Sequence, residues 1–339
     1  MIELQAEDIR RFAASIGIPS IGFAKPVPGP EAQQLKAWLE KKFHAGMGYF
    51  EKDIRVRTLE EPLLPGQKAM VICLFPYPAL LMSPHVSAYA LFPDYHRYLN
   101  RKLSELKQLV ELKAPGIAVR VFADSSPVME KPLAVRAGLG FQGKNTLLIS
   151  PEYGSYCFLG GLILDCEIAD DSRSSVVPEG CGSCRLCIDA CPTQALSGEG
   201  LDGRRCLSYH NIENRGEIPD DIQDEMGMRV FGCGICEQVC PKNHGAKQGN
   251  YPDWQGEKQL AQRDLKGLFD DCFKGFGKHF GETPIHRLGK KRLMRNLLVA
   301  MGNSGQNDYI SCVEKCADEP GLEKYAARAM RKLGNKGSE

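Results

Sequence analysis

The cysteines between residues 181 and 240 constrain this chain more than any other feature in it. Residues 181–192 read CGSCRLCIDACP, which is the spacing C-x2-C-x2-C-x3-C-P. Such a run holds iron–sulfur clusters: three cysteines on one tight loop reach three irons of a cubane, and the fourth, followed by Pro, ligates the other cluster of a pair. A second run, Cys233-x2-Cys236-x3-Cys240-Pro241, is one cysteine short, and Cys206 lies between the runs to supply it. The crossover assigns Cys181, Cys184, Cys187 and Cys240 to a first [4Fe–4S] cluster. Cys191, Cys206, Cys233 and Cys236 fall to a second. A pair of zinc knuckles is the competing reading, because C-x2-C pairs also suit tetrahedral zinc. The three-cysteine loop and the two Cys-Pro endings favour iron–sulfur.

The chain has fourteen cysteines in 339 residues and a formal net charge of +1. The N-terminus, MIELQAEDIRRF, lacks the basic and apolar regions of a signal peptide. The apolar runs Ala69–Leu74 and Gly160–Leu164 fall far short of the roughly 18 residues that span a bilayer. A cytoplasmic protein without a membrane partner is expected, and in a reducing cytosol its cysteines should serve metal rather than disulfides. Cys73, Cys157, Cys166, Cys272, Cys312 and Cys316, outside the two runs, read as small apolar core residues. The near-zero charge excludes a globally basic nucleic-acid binder, so any such contact needs a local patch.

Before the cysteine block, strands alternating with helices suggest an α/β or α+β sandwich up to about residue 168. Ile9, Phe12, Ala13 and Ile16 are spaced for a helix over 5–17, closed by Gly17. Residues 70–75, 117–122, 147–149 and 158–164 are short and apolar, as strands are, and 98–113 reads as an amphipathic helix. The polar stretch 169–180 reads as a linker. The boundaries expected are 1–168, 169–250 and 251–339. In the last segment, helices at 287–301 and 322–333 are joined by a polar stretch with Gly302 and Gly305, a layout that must pack on the rest of the chain. Two clusters make a wire for single electrons. A wire alone needs far less chain than this, so a substrate site is expected in the first segment.

Residues 121–145, which begin VFAD and continue SSPVMEKPLAVRAGLGFQGKN, are the candidate. A strand ends at Phe122, and Ser126-Pro127 should start a helix with Ser126 as its cap. Asp124 then sits on a loop at a strand's carboxyl end, where chemistry is often carried; the plainer role is a helix cap. Gly138, Gly140 and Gly143 form a turn that brings backbone close to something, a large flat ligand among the possibilities. Upstream stands Asp94-Tyr95-His96.

Four stretches together resemble the epoxyqueuosine reductases: Asp124 with the SSPVMEKPLAVRAGLGFQGKNTLLI that follows it, the triplet DYH, the block CGSCRLCIDACPTQAL…RRCLSYHNIE…GCGICEQVCPKN, and the tail IHRLGKKRLMRNLLVAMGNSG. The likeness runs in order from about residue 45 to the end. It implies a nitroreductase-like cobalamin-binding domain, a two-cluster ferredoxin-like domain and C-terminal HEAT-like helices. It implies reduction of epoxyqueuosine to queuosine at the wobble position of tRNA by cob(I)alamin. The two [4Fe–4S] clusters would feed that centre, and an external low-potential donor would feed them in turn. Asp124 becomes the proton donor, its pKa raised by burial beside the corrin. Arg57, Tyr95, His96, Lys144, Asn145, Ser208 and Gly234 are placed near cofactor or substrate.

The basic tail Arg287, Lys290, Lys291, Arg292 and Arg295 becomes the surface for the tRNA anticodon stem-loop; without the resemblance it reads equally as a solvated helix face. The protein is expected to act as a monomer. The family's pattern is broken at Pro93, Phe141 and Lys242, changes expected to leave the clusters alone and to bear on substrate contacts. A corrinoid reductase of the reductive-dehalogenase kind acting on another substrate, and a ferredoxin-type electron carrier, are the alternatives.

Overall fold

The structure is a computed structural model that describes residues 4–79, 82–169, 180–249 and 258–334. Its first part has strands β1 (Leu4–Gln5), β2 (Ser20–Ala24), β3 (Ala69–Pro76), β4 (Val119–Ala123), β5 (Phe141–Gln142), β6 (Leu148–Ile149), β7 (Cys157–Leu164) and β8 (Ile168–Ala169). Helices α1 (Ala6–Ser15), α2 (Pro30–Glu40), α3 (Tyr49–Lys52), α4 (Ile54–Arg57), α5 (Tyr95–Lys113) and α6 (Glu130–Arg136) lie between them. Four strands form an antiparallel sheet in the order β2-β3-β7-β4.

Every residue of β3 is buried, because both faces of the sheet are covered. Val71, Cys73 and Phe75 point to the side of α1 and α5, where Ile9, Ala13, Leu99, Leu103 and Leu106 pack. Met70, Ile72 and Leu74 point to the other side, against Leu133 and Ala134 of α6. This is the period-two alternation of a strand between two apolar layers. Gly161 of β7 is required by the close approach of β3, since a Cβ there would lie 1.9 Å from the Val71 carbonyl oxygen.

The four expected strands are present. The helix expected at 98 begins three residues earlier, at Tyr95, because Asp94 caps it by accepting the His96 N–H at 3.1 Å. The helix expected from Ser126 begins at Glu130, and Ser126 caps nothing: residues 124–129 form an irregular turn. The sequence pattern did not reveal β2 or α2. The expected linker 169–180 lies almost wholly outside the described residues.

The cysteine block contributes α7 (Leu186–Asp189), β9 (Leu196–Ser197), β10 (Gly200–Leu201), α8 (Asp220–Glu225) and α9 (Ile235–Gln238). The C-terminal part is helical: α10 (Lys258–Ala261), α11 (Leu265–Phe280), α12 (Lys290–Ser304), α13 (Ile310–Glu314) and α14 (Glu323–Gly334). α12 is a central helix rather than an amphipathic surface one, with every residue from Leu293 to Gly302 buried. Gly302, expected in a connecting stretch, is inside α12. It sits where α14 crosses, and a Cβ would come within 2.8 Å of the Ala329 Cα. Gly305, left-handed, ends the helix. One apolar core runs without a break from α1 and α5 through Leu207, Ile222 and Phe231 into α11, α12 and α14. The three expected segments therefore share a core. Among the described residues no helix is long and apolar enough to cross a membrane.

Candidate functional site

Eight of the fourteen cysteines gather into two groups of four. Cys187 lies within electrostatic reach of Cys181 and Cys240, and Cys240 of Cys181 and Cys184. Cys206 faces Cys191, Cys233 faces Cys206 and Cys191, and Cys236 faces Cys233 and Cys206. Cys236 also feels Cys187, where the groups adjoin. Cys181, Cys184, Cys187 and Cys240 line a single cavity together with Lys144, Asn145 and Ile149. Backbone N–H groups point at sulfur: Lys144 N–H donates to Cys181 Sγ at 3.4 Å and Ala195 N–H to Cys191 Sγ at 3.2 Å. Bonds of this kind tune a cluster's potential. Eight thiols in these two groups fit two cubanes.

Residues expected beside the cofactor divide between this centre and a separate cleft. Lys144 Nζ donates to the carbonyls of Gly182 and Cys184 at 2.8 and 2.9 Å, clamping the first cysteine loop. Asn145 donates to the Cys236 carbonyl. Ser208 faces the Cys206 thiol with its hydroxyl and its N–H. Gly234, left-handed, opens α9 next to Cys233. These four serve the cysteine centre. Phe141 does too: it is buried against Cys181, Cys240 and Ile149, so this departure from the family pattern touches the first cysteine group rather than leaving it alone. The glycine turn serves chain packing, since a Cβ on Gly140 would lie 2.2 Å from the Ile149 carbonyl oxygen. A cavity of about 280 Å³ opens beside Cys233, walled by Ser83, His85, Ser87, Arg229 and Gln238.

The cleft holds Asp124. β4 ends at Ala123, and Asp124 follows with φ +42°, a left-handed conformation that L residues pay strain to adopt. Two contacts hold it there. Its N–H donates to Glu130 Oε1 at 2.6 Å, and its Oδ2 lies 2.7 Å from His96 Nε2. His96 Nδ1 lies 2.6 Å from Asp94 Oδ1, and Asp94 Oδ2 accepts from Arg287 Nε at 3.3 Å. Tyr95 stacks on His96 and on Phe158, with both centroid separations 4.0 Å. The Asp124 side chain is 49% exposed although protein surrounds and desolvates it, which is the situation of a group on the wall of a concave site.

Arg57 belongs to the same charge neighbourhood. Its guanidinium lies over Tyr49 and Phe50 at 5.7 and 5.0 Å, and it feels the charge of Glu130. Burial lowers its pKa, and its Nε is buried with no hydrogen-bond partner among the described residues. An exposed acid and an unpartnered buried donor in one neighbourhood are polar groups left over for a ligand such as a corrinoid to engage.

The protonation pattern differs from expectation at Asp124. Burial pushes its carboxyl up, but the hydrogen bond and charge of His96 and the Tyr95 hydroxyl push harder, and the net pKa is below the ordinary value. The expected upward shift considered burial and no partner; the partner wins. Asp94 falls to about 2, because its bonds to His96 outweigh burial. His96 goes up, its own burial outweighed by the two carboxylates. The raised carboxyl of the cleft is Glu130, pushed up to about 8 by burial and by the Asp124 charge.

Four of the five tail cations are engaged within the fold. Arg295 is buried, with Nη1 donating to the carbonyls of Asn214 and Gly216 and Nη2 to that of His210. Arg292 donates to the carbonyls of Leu288, Ile212 and Arg287. Lys290 binds the Phe273 carbonyl, and Arg287 binds Asp94. Lys291 is exposed. A run of positive charge on a helix does not tell a solvated face from a clamp, and here it is mostly a clamp onto the π-turn Tyr209–Glu213 and the residues after it.

An α+β domain with a cleft, joined to two groups of four thiols, is the arrangement of a two-cluster iron–sulfur protein. Comparison with known proteins makes this specific. The model "4Fe-4S double cluster binding domain" matches residues 180–243, and "Epoxyqueuosine reductase QueG, DUF1730" matches residues 57–125. The epoxyqueuosine reductase of Aliivibrio fischeri is 33% identical over 330 residues, 94% of this chain and 88% of that one. An epoxyqueuosine reductase solved with an epoxyqueuosine-modified tRNA-Tyr stem loop superposes with a TM-score of 0.86 at 29% identity, covering 97% of this chain and 90% of that one. The Bacillus subtilis enzyme, solved with its catalytic Asp loop swung out of the active site, gives 0.85 at 28% identity, over 96% and 90%. The chain belongs to the epoxyqueuosine reductase family. It carries two [4Fe–4S] clusters in residues 180–243.

Proposed function

We propose that this chain is the oxidoreductase that converts epoxyqueuosine in a tRNA anticodon stem-loop to queuosine. Cys181, Cys184, Cys187 and Cys240 hold one cluster, and Cys191, Cys206, Cys233 and Cys236 the other. Segment 1–168 binds cobalamin and substrate, 169–250 the clusters, and 251–339 braces both. Cobalamin, when bound, supplies the strongly reducing nucleophilic centre that the reaction needs. Asp124 delivers a proton to the departing epoxide oxygen, Arg57 and Tyr95 line the cofactor cleft, and Lys144 and Asn145 hold the cysteine loops against it. An external low-potential donor refills the clusters one electron at a time. The protein works in the cytoplasm as a monomer. Lys291 remains the tail's candidate phosphate contact; Arg295 does not.

One observation carries this reading. An exposed carboxylate, hydrogen-bonded at 2.7 Å to a histidine, stands in the same chain as the eight cysteines. Proton supply and electron supply thus meet in one chain. The test is anaerobic incubation of reconstituted protein with cobalamin, a low-potential reductant and epoxyqueuosine-containing tRNA, followed by nucleoside mass analysis. Loss of one oxygen mass from the modified nucleoside, dependent on cobalamin, is expected. An unchanged nucleoside with fully reduced clusters would overturn the proposal.

A further inference from the structure

Removing an epoxide oxygen breaks two C–O bonds, forms one C=C bond and releases water. It consumes two electrons, which the clusters supply, and two protons. The geometry around Asp124 bears on the protons. His96 is pinned at both ring nitrogens, 2.6 Å from Asp94 Oδ1 and 2.7 Å from Asp124 Oδ2, so that with both nitrogens protonated it donates to both carboxylates. Asp94 is itself fixed: its N–H donates to the Glu282 carbonyl at 2.7 Å, and its second oxygen takes Arg287 Nε. Tyr95 and Phe158 stack in a column against the imidazole, leaving the ring one orientation. The charged groups facing it are Asp94, Asp124, Glu130 behind Asp124, and Arg287 from the turn Pro284–Leu288. Of the two carboxylates, only Asp124 opens to the cleft: its side chain is 49% exposed against 13% for Asp94 and 9% for His96.

We propose that His96, oriented by Asp94 and Arg287, stores the proton that Asp124 delivers. This rests on the reading of Asp124 given above. The Nε2 proton passes along the 2.7 Å bond to Asp124 Oδ2, and from Asp124 to the departing oxygen as the first C–O bond breaks. The imidazole is left neutral between two carboxylates. It is reloaded from solvent by way of exposed Asp124, and a second solvent proton completes the water that leaves, so each turnover takes two protons from solvent and returns His96 to its starting state. Beside His96 the Asp124 carboxyl is held below its ordinary value, so at neutral pH the carboxylate is an anion and the proton of the pair sits on the imidazole. The pair behaves as one acid whose proton rests on nitrogen. His96, Asp94 and Arg287 act through Asp124 and are positioning residues.

Two measurements on the full chain test this. In cobalamin-free, cluster-loaded protein, the His96 imidazole is followed by NMR against pH and assigned by its loss in His96→Gln. It should hold its proton above the ordinary 6.5. Asp94→Asn should lower that midpoint by about one unit or more. In the reconstituted enzyme, single-turnover rates should fall on the alkaline side of the same midpoint. Asp94→Asn should move that limb to lower pH, and His96→Gln should slow turnover about 100-fold or more at neutral pH. Iron content and corrinoid absorption should not change in either variant. An imidazole titrating at or below 6.5, or a His96→Gln enzyme with the wild-type rate and limb, would overturn the proposal. If His96→Gln is normal while Asp124→Asn is dead, only the store fails. If Asp124→Asn is active, the reading beneath it fails.

Discussion

A carboxyl group on the wall of a cleft can come to hold a proton at neutral pH in two ways. Burial can keep it protonated, or a basic partner can hold the proton beside it. Asp124 takes the second route and Glu130 the first, although they are joined by a 2.6 Å bond from the Asp124 amide. Sequence reasoning could place Asp124 on a loop after a strand, because strand and turn are local patterns. It named His96 beside the cofactor but could not pair it with Asp124, because the two lie 28 residues apart and meet only through the packing of α5 on β4. It also passed over Glu130, whose place behind Asp124 depends on the turn 124–129. Glu130 makes its own prediction. With a folded pKa of about 8 against an ordinary 4.5, the folded state binds more protons than the unfolded one between those values, so this group costs stability as pH rises through that window. Thermal unfolding of cobalamin-free Glu130→Gln should therefore depend less on pH between 4.5 and about 8 than the wild type. Identical pH dependence would show that Glu130 ionises normally.

At the scale of elements, the cysteine centre was legible and the basic tail was not, for one physical reason. Cluster ligands on a tight loop are set by spacing, so C-x2-C-x2-C-x3-C-P announces its geometry. The meaning of a cation on a helix depends on what packs there. α12 was expected to show a charged face to tRNA, but from Leu293 to Gly302 it is buried, and its Arg295 closes three backbone carbonyls of the turn that leads from Cys206 toward α8. Removing that guanidinium leaves buried carbonyls unpaired, a loss of about 1–3 kcal/mol for each acceptor left without a partner. Arg295→Ala should lower the unfolding midpoint strongly and hinder loading of the cluster that uses Cys206. Lys291→Ala, at an exposed position, should stay within about 0.5 kcal/mol of wild type. Equal midpoints for the two variants would contradict the assignment of Arg295 as a clamp.

Across the whole molecule, the continuous core matters more than the division into segments. Composition shifts suggested three units. The apolar cluster that begins at α1 ends at α14, and Arg287 of the helical part reaches Asp94 in the first. Parts that share a core hold distances between them, and a two-cluster wire needs fixed distances to its destination. The fold class and the order of parts were visible because they follow from strand and helix periodicity and from the cysteine block. The shared core was not visible, since contacts between residues two hundred positions apart leave no pattern in a single chain. The account's central claim is that electrons from the clusters and a proton through Asp124 meet at one substrate. The measurement that tests it most directly is single-turnover conversion of epoxyqueuosine-containing tRNA by Asp124→Asn, with iron content, reduced-cluster spectrum and corrinoid absorption matched to the wild type. The account predicts a loss of about 10²–10⁴ in rate with all three signatures intact. Conversion within a few-fold of wild type would contradict it.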